Sequence, residues 1–169
     1  MDINKLVRYI AYTLEIYLLF LLQQTPGLFP EIYGARPVLL FPAAVAVSLI
    51  EREIPAMAFG IIAGLLVDFG FGAGLGFHSL LMAVVCFFVS VLTHTILRVN
   101  LGTAIVMSVW MIAVFVLGGW IYQYLWNGYS YAGYAILRHY LPKYLYTLLM
   151  FPLIFLLNRG IAKTIHSEE

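Results

Sequence analysis

Two carboxylates lie inside apolar stretches of this chain, where an acidic side chain has few partners and could do chemistry. Glu15 stands in an apolar run near the N-terminus. Asp68 stands between two apolar runs, just before four glycines at alternate positions, Gly70, Gly72, Gly74 and Gly76. In such surroundings an acid can bind an ion, a proton or a substrate. Alternatively, Asp68 can cap the next helix and Glu15 can hydrogen-bond a neighbouring helix, so both interpretations stay open for both residues.

The polar residues around these acids do not form a catalytic set. No Ser-His-Asp arrangement and no carboxylate pair stands in an aqueous setting, and neither His78 nor His94 has a second ligand at the spacing of a metal site. The glycine series lacks the Lys-Ser/Thr ending of a phosphate-binding loop, and the single cysteine, Cys86, lies in an apolar run. We therefore predict no catalytic residues, no metal site, no bound cofactor and no enzymatic activity.

The amino-acid composition indicates whether these residues are surrounded by water or by a membrane. Hydrophobic residues make up 63% of the 169 residues and charged residues only 10%, with a mean hydropathy of +0.96. A water-soluble domain does not have this composition, so we expect a single integral membrane domain over residues 1–169 in contact with membrane lipids. The formal net charge of +1 gives no basic excess, which argues against nucleic acid as a partner.

Apolar segments of about 20 residues predict an all-α, polytopic bundle of about six transmembrane helices. The second segment contains Arg36, Pro37 and Pro42, and the third is short, so each can be kinked, tilted or partly interfacial, and five spans remain possible. The six segments are Leu6–Leu22, Ile32–Ile50, Ile54–Phe69, Leu75–Leu97, Leu101–Leu125 and Leu141–Ile161.

The basic residues predict the orientation of this bundle. If the N-terminus is inside and there are six spans, six basic residues lie inside, namely Lys5, Arg8, Arg52, Arg98, Arg159 and Lys163. Three then lie outside, namely Arg36, Arg138 and Lys143. Because Lys and Arg are enriched in cytoplasmic loops, we expect both termini to be cytoplasmic. The charged turn from Glu51 to Glu53 is expected to be a solvated inner loop.

Small residues predict where helices approach closely. Gly60, Gly64 and Asp68 follow one another at steps of four and so lie along one face of the third predicted helix. A Gly-x-x-x-Gly face lets a second helix come close and gain dispersion contacts. The glycines that follow allow a sharp turn whose N–H groups can reach an acid. We predict a helix-packing or partner-docking role for Gly60, Gly64, Asp68, Gly70, Gly72, Gly74 and Gly76.

The stretch "GIIAGLLVDFGFGAGLGFHSLLMAVVCFFVSVL", residues Gly60 to Leu92, resembles the MreD family of rod-shape-determining membrane proteins. In that family a helix ends in an aspartate, which a glycine-rich turn and a second apolar helix follow. The rest of the chain matches in length and hydropathy. The resemblance implies a non-enzymatic scaffold in the bacterial cytoplasmic (inner) membrane that binds the bitopic protein MreC. It also implies an elongation complex with MreB filaments, the RodA glycosyltransferase and its transpeptidase, which makes lateral peptidoglycan.

Two other functions fit a polytopic bundle. MreD proteins look like the substrate-binding S-components of energy-coupling-factor transporters, which also have six helices, so a binding subunit for a small molecule is the main alternative. S-components typically couple through an Ala-x-x-x-Ala pattern in the first helix, whereas Leu6–Leu22 has Ala11 as its one small apolar residue. A channel or exporter would need polar residues on several helices, and only Glu15 and Asp68 qualify. Because the sequence lacks the features expected of an S-component or a channel, it favours the scaffold function.

Overall fold

The chain is seen in a computed structural model in which residues 3–31, 36–71, 76–96, 100–122 and 132–166 are described, and these residues are mostly helical. A short π-helical segment, Ile136–Tyr140, joins the last two helices. In chain order the α-helices are α1 Ile3–Gln24, α2 Leu40–Ser48, α3 Glu53–Phe71, α4 Phe77–Thr95, α5 Leu101–Trp120, α6 Ala132–Ala135 and α7 Leu141–His166.

The predicted all-helical membrane bundle is confirmed, but the second span differs from its prediction. Within the described residues, five helices are long and apolar enough to cross a membrane: Ile3–Gln24, Glu53–Gly70, Phe77–Thr95, Leu101–Trp120 and Ile136–Thr164. The predicted segment Ile32–Ile50 instead contains α2, whose nine residues extend only about 14 Å. Residues 32–35 of that segment lie outside the described residues.

The short helix α2 is enclosed by the rest of the protein. Every residue from Pro37 to Leu49 is buried, and α2 contacts α1, α3, α4, α5 and α7. Its small side chains Ala43, Ala44 and Ala46 are fully buried, so neighbouring helices can approach it closely. A segment too short to span a bilayer as a helix can lie at membrane depth only where protein surrounds it.

Contacts at the helix ends show that α2 is part of a return pass. Arg8, near the start of α1, pairs with Glu51, just before α3. Gln24, the last residue of α1, lies against Gly70 near the end of α3. The helices α1 and α3 therefore run in the same direction, so the chain between them must cross back. We refer to these two ends of the bundle as the Glu51 end and the Asp68 end.

The next two helices alternate in direction. The helix α4 starts beside Asp68 and runs to the Glu51 end, where His94 Nε2 lies 3.0 Å from the Glu51 carbonyl oxygen. The helix α5 returns to the Asp68 end, where Gly119 lies close to His78.

The last helix, α7, brings the chain back to the Glu51 end. Thr147, early in α7, hydrogen-bonds Val38 at the Asp68 end of α2, and Asn158 hydrogen-bonds Glu15 in the middle of α1. Within its described residues the chain thus makes six passes through the bundle, five with long helices and one with α2. The start of α1 and the end of α7 lie at the same end of the bundle.

Six passes predict that tags at the two termini are found on one side of the membrane. A reporter fused before Met1 and the same reporter fused after Glu169 should give the same activity in intact cells, because α1 starts and α7 ends at the same end of the bundle. A reporter inserted at Gly133, between α5 and α7, should give the opposite result. Opposite signals from the two termini would show that the segment around α2 does not cross.

Candidate functional site

Asp68 lies where α3 meets α4 and hydrogen-bonds the beginning of α4. Its side chain is buried, with 1% of the residue exposed. Oδ2 accepts hydrogen bonds from the backbone N–H groups of Gly76 at 2.9 Å and Ser79 at 3.3 Å. Oδ1 accepts one from the backbone N–H of His78 at 3.2 Å. These N–H groups belong to the first turn of α4, where they have no partner in the helix and the helix dipole favours an anion.

The imidazole of His78 completes the environment of this carboxylate. Its Nδ1 lies 2.7 Å from Oδ1 of Asp68, and its ring packs edge-on against Phe77 and beside Phe115. Each oxygen of Asp68 therefore has two hydrogen-bond partners, which is about the acceptor capacity of a carboxylate. The geometry is that of a helix cap joined to an Asp-His pair.

Gly60 and Gly64 lie against α4. A Cβ atom on Gly60 would stand 2.8 Å from the carbonyl oxygen of Met82. A Cβ atom on Gly64 would overlap the Cα atom of Ser79 and stand 2.7 Å from the carbonyl oxygen of His78. Since backbone atoms cannot move aside as a flexible side chain can, the approach of α3 to α4 requires glycine at both positions.

The glycines after Asp68 have different surroundings. Gly70 was predicted to lie in the glycine-rich connection between α3 and α4, but it belongs to the last turn of the helix α3. It faces the side chains of Gln24 and Phe20 in α1. Gly76 precedes α4 with φ of +104°, a left-handed conformation that favours glycine. Gly72 and Gly74 lie outside the described residues.

At the Asp68 end, two side chains bind the backbone that enters α2. Gln23 Oε1 accepts a hydrogen bond from the Leu39 N–H at 2.9 Å. Thr147 Oγ1 accepts one from the Val38 N–H at 3.2 Å. Because α2 is enclosed by protein, these N–H groups cannot bond to water, and the side chains of α1 and α7 replace it.

At the Glu51 end, the backbone that leaves α2 is bound in the same way. The carbonyl oxygen of Glu51 accepts a hydrogen bond from Ser90 Oγ at 2.7 Å and lies 3.0 Å from His94 Nε2, both in α4. The side chain of Glu51 is ion-paired with Arg8, with 2.6 Å between Arg8 Nε and Glu51 Oε1. Polar side chains from α1, α4 and α7 thus hold both ends of the α2 pass.

Glu15, the other candidate acid, links α1 to α7. Asn158 Nδ2 donates a hydrogen bond to Glu15 Oε1 at 2.9 Å and another to the carbonyl oxygen of Ile154 at 3.0 Å. Within the parts of the chain that the structure describes, no group of three or more His, Cys, Asp or Glu side chains could hold a metal ion. Glu15 and Asp68 therefore belong to separate contacts at different depths in the bundle.

Several of these polar residues were not singled out from the sequence. Four side chains bind another element of the fold, namely Gln23, Ser90, Thr147 and Asn158. In the sequence they differ from their neighbours only in being polar within an apolar run. The expectation of a solvated turn is wrong for Glu51, which is only 4% exposed. Its partner Arg8 lies 43 positions away, so nothing in the local sequence indicates the pair.

Comparison with known proteins finds a family that matches nearly the whole chain. A family model described as rod shape-determining protein MreD matches residues 4–161. The resemblance found in Gly60–Leu92 is thereby confirmed and extended from α1 to most of α7. No curated protein and no solved structure matches the chain.

The contact between Gly64 and α4 predicts a large effect of a single methyl group. Gly64→Ala should lower the free energy of unfolding by about 1–3 kcal/mol, since α3 and α4 must move apart to accept the Cβ atom. Gly160→Ala is the matched control, because a Cβ atom on this helical glycine would meet nothing within 4 Å. Thermal unfolding in detergent measures both. Equal melting temperatures would show that α3 does not lie this close to α4.

The hydrogen bonds of Asp68 predict graded effects of two substitutions. Asp68→Leu should destabilise the protein by on the order of 3 kcal/mol, because it leaves the N–H groups of Gly76, His78 and Ser79 without an acceptor. Asp68→Asn keeps one acceptor oxygen and should destabilise less. Thermal unfolding again measures the difference. If Asn and Leu destabilise equally, the hydrogen bonds of this carboxylate do not hold the start of α4.

Proposed function

Because the chain belongs to the MreD family of rod shape-determining proteins, we propose that it is a membrane scaffold that holds the transmembrane helix of an MreC-like bitopic protein. Its role in rod-shape determination follows from the family match over residues 4–161, and this match carries the proposal. Through that partner the chain helps to organise lateral peptidoglycan synthesis with MreB filaments, RodA and its transpeptidase. The family is one of structural shape-determining proteins, which agrees with a non-enzymatic role.

The polar contacts of the bundle support a structural role. Asp68 bonds the start of α4, and Glu51 and Gln23 bond the two ends of the α2 pass. Such contacts fix the angles between helices, which a scaffold needs in order to present a surface of constant shape. We propose that Gly60, Gly64 and Asp68 serve this packing, since α4 covers the face on which they lie.

A partner helix must then bind an outer, lipid-facing side of the bundle, and we place it on α1. Only 22% of the apolar stretch of α1 is buried inside the protein, a smaller share than in the other four long helices. Ile10, Leu14, Leu18 and Leu21 are about half exposed and follow one another at steps of three or four, as residues on one helix side do. A second apolar helix on this side would gain dispersion contacts.

The distribution of basic residues supports an orientation that allows cytoplasmic contacts with MreB filaments. Five described basic residues lie toward the Glu51 end, namely Lys5, Arg8, Arg52, Arg159 and Lys163, and three lie toward the Asp68 end, namely Arg36, Arg138 and Lys143. The excess of basic residues at the Glu51 end supports a cytoplasmic location for this end, where α1 starts and α7 ends, in the bacterial inner membrane. The Asp68 end then faces the compartment in which the wall is made.

The proposal predicts a position-specific cross-link to the partner. A photoreactive amino acid at Leu14 in α1 should cross-link to co-expressed MreC, because this side chain is 61% exposed on the proposed surface. The same amino acid at Val84 is the matched control, since Val84 is also exposed and lies on α4.

Two results would contradict the proposal in different ways. Cross-links of equal yield from both positions would show that the partner does not bind α1 in particular. Failure of MreC to co-purify with the wild-type chain, together with a tightly bound small molecule in the purified protein, would replace the scaffold with the transporter-like alternative.

A further inference from the structure

The contact between Glu15 and Asn158 leaves two oxygen atoms without a hydrogen bond. Asn158 is fully buried and donates from Nδ2 to Glu15 Oε1 at 2.9 Å. The second oxygen of each group, Glu15 Oε2 and Asn158 Oδ1, is buried and has no partner among the described residues. Both atoms are acceptors if the carboxyl group is ionised, and a buried acceptor without a donor is strongly disfavoured.

Among the described residues, the hydrogen-bond partner of Glu15 is the neutral amide of Asn158 and not a cation. Along α1 the nearest titratable groups are both neutral tyrosines: Tyr17, which is 56% exposed, and Tyr12, which is fully buried one turn before Glu15. Arg8 lies two turns before Glu15 and pairs with Glu51. On α7, Arg159 follows Asn158 directly and Lys163 is exposed about one turn further toward the helix end, whereas the bond to Glu15 is made by the neutral amide of Asn158.

We propose that Glu15 binds a proton on Oε2, and that the neutral acid and the Asn158 amide form a cyclic pair. In this pair Asn158 Nδ2–H donates to Glu15 Oε1, and Glu15 Oε2–H donates to Asn158 Oδ1. One proton satisfies both of the atoms that otherwise lack a partner, and it removes the charge from the apolar interior. The pair links α1, the least buried of the long helices, to α7 without placing a charge in the bilayer.

A metal cation between the same two oxygens is the competing occupant. Hard cations take about six or more oxygen ligands, whereas within the described residues the contact between Glu15 and Asn158 offers two unpaired oxygens, one from each side chain. A proton needs only one donor and one acceptor, so it fits the two atoms better than a cation does.

Infrared spectroscopy of the full chain in lipid nanodiscs at neutral pH tests the protonation state. The difference spectrum between wild type and Glu15→Gln should show loss of the C=O band of a protonated carboxyl group. Glu31→Gln is the matched control: Glu31 is exposed and paired with Arg36, so its spectrum should show loss of carboxylate bands. Loss of carboxylate bands alone from Glu15→Gln would overturn the proposal, and a melting temperature that rises with Na⁺ would then indicate a cation.

Thermal unfolding of a set of variants provides an independent test. Glu15→Gln should keep a melting temperature close to that of wild type, because an amide can also donate to and accept from Asn158. Glu15→Leu and Asn158→Leu should each lower it by several degrees, and the double variant should recover part of the loss since no polar atom is left unpaired. If Glu15→Gln loses as much as Glu15→Leu, the carboxyl group is ionised and the proposal fails.

Should Glu15→Gln not fold at all, the infrared spectrum of Asn158→Leu tests the pair instead. A shift of the carboxyl C=O band relative to wild type supports the pair, and an unchanged spectrum overturns it.

Discussion

The architecture depends on the requirement that backbone N–H and C=O groups at membrane depth find partners inside the protein. A long helix meets this requirement by itself, but α2 is too short to do so. The protein therefore surrounds α2 with the five long helices. The side chains of Gln23, Thr147 and Ser90 bind the backbone just before and just after α2. The positions of α1, α4 and α7 are thus constrained by the hydrogen bonds that the backbone on either side of α2 requires.

The contact between α3 and α4 obeys the same requirement at the Asp68 end. Gly60 and Gly64 bring the two backbones so close that no side chain fits between them. At that distance the first N–H groups of α4 come within reach of Asp68, which accepts their hydrogen bonds. Close packing and capping depend on each other here, because a wider separation would leave both the carboxylate and the N–H groups without partners.

The sequence predicts most of this fold, because apolar length alone identifies a membrane helix. The segments Leu6–Leu22 and Leu101–Leu125 overlap α1 and α5 along most of their lengths. The segment Ile32–Ile50 was predicted as a span that could be kinked, tilted or partly interfacial, but not as a short buried helix, because its apolar residues give the same signal whether they face lipid or protein. Only the other helices of the fold decide that difference.

The candidate site was predictable where its partners are close in the sequence. Asp68 and the start of α4 are separated by about ten positions, so a cap was one of the two interpretations that the sequence offered. Glu15 and Asn158 are 143 positions apart, and Val38 and Thr147 are 109 apart. A single sequence contains no signal for such pairs, because a polar residue in an apolar span indicates that it needs a partner without indicating which one.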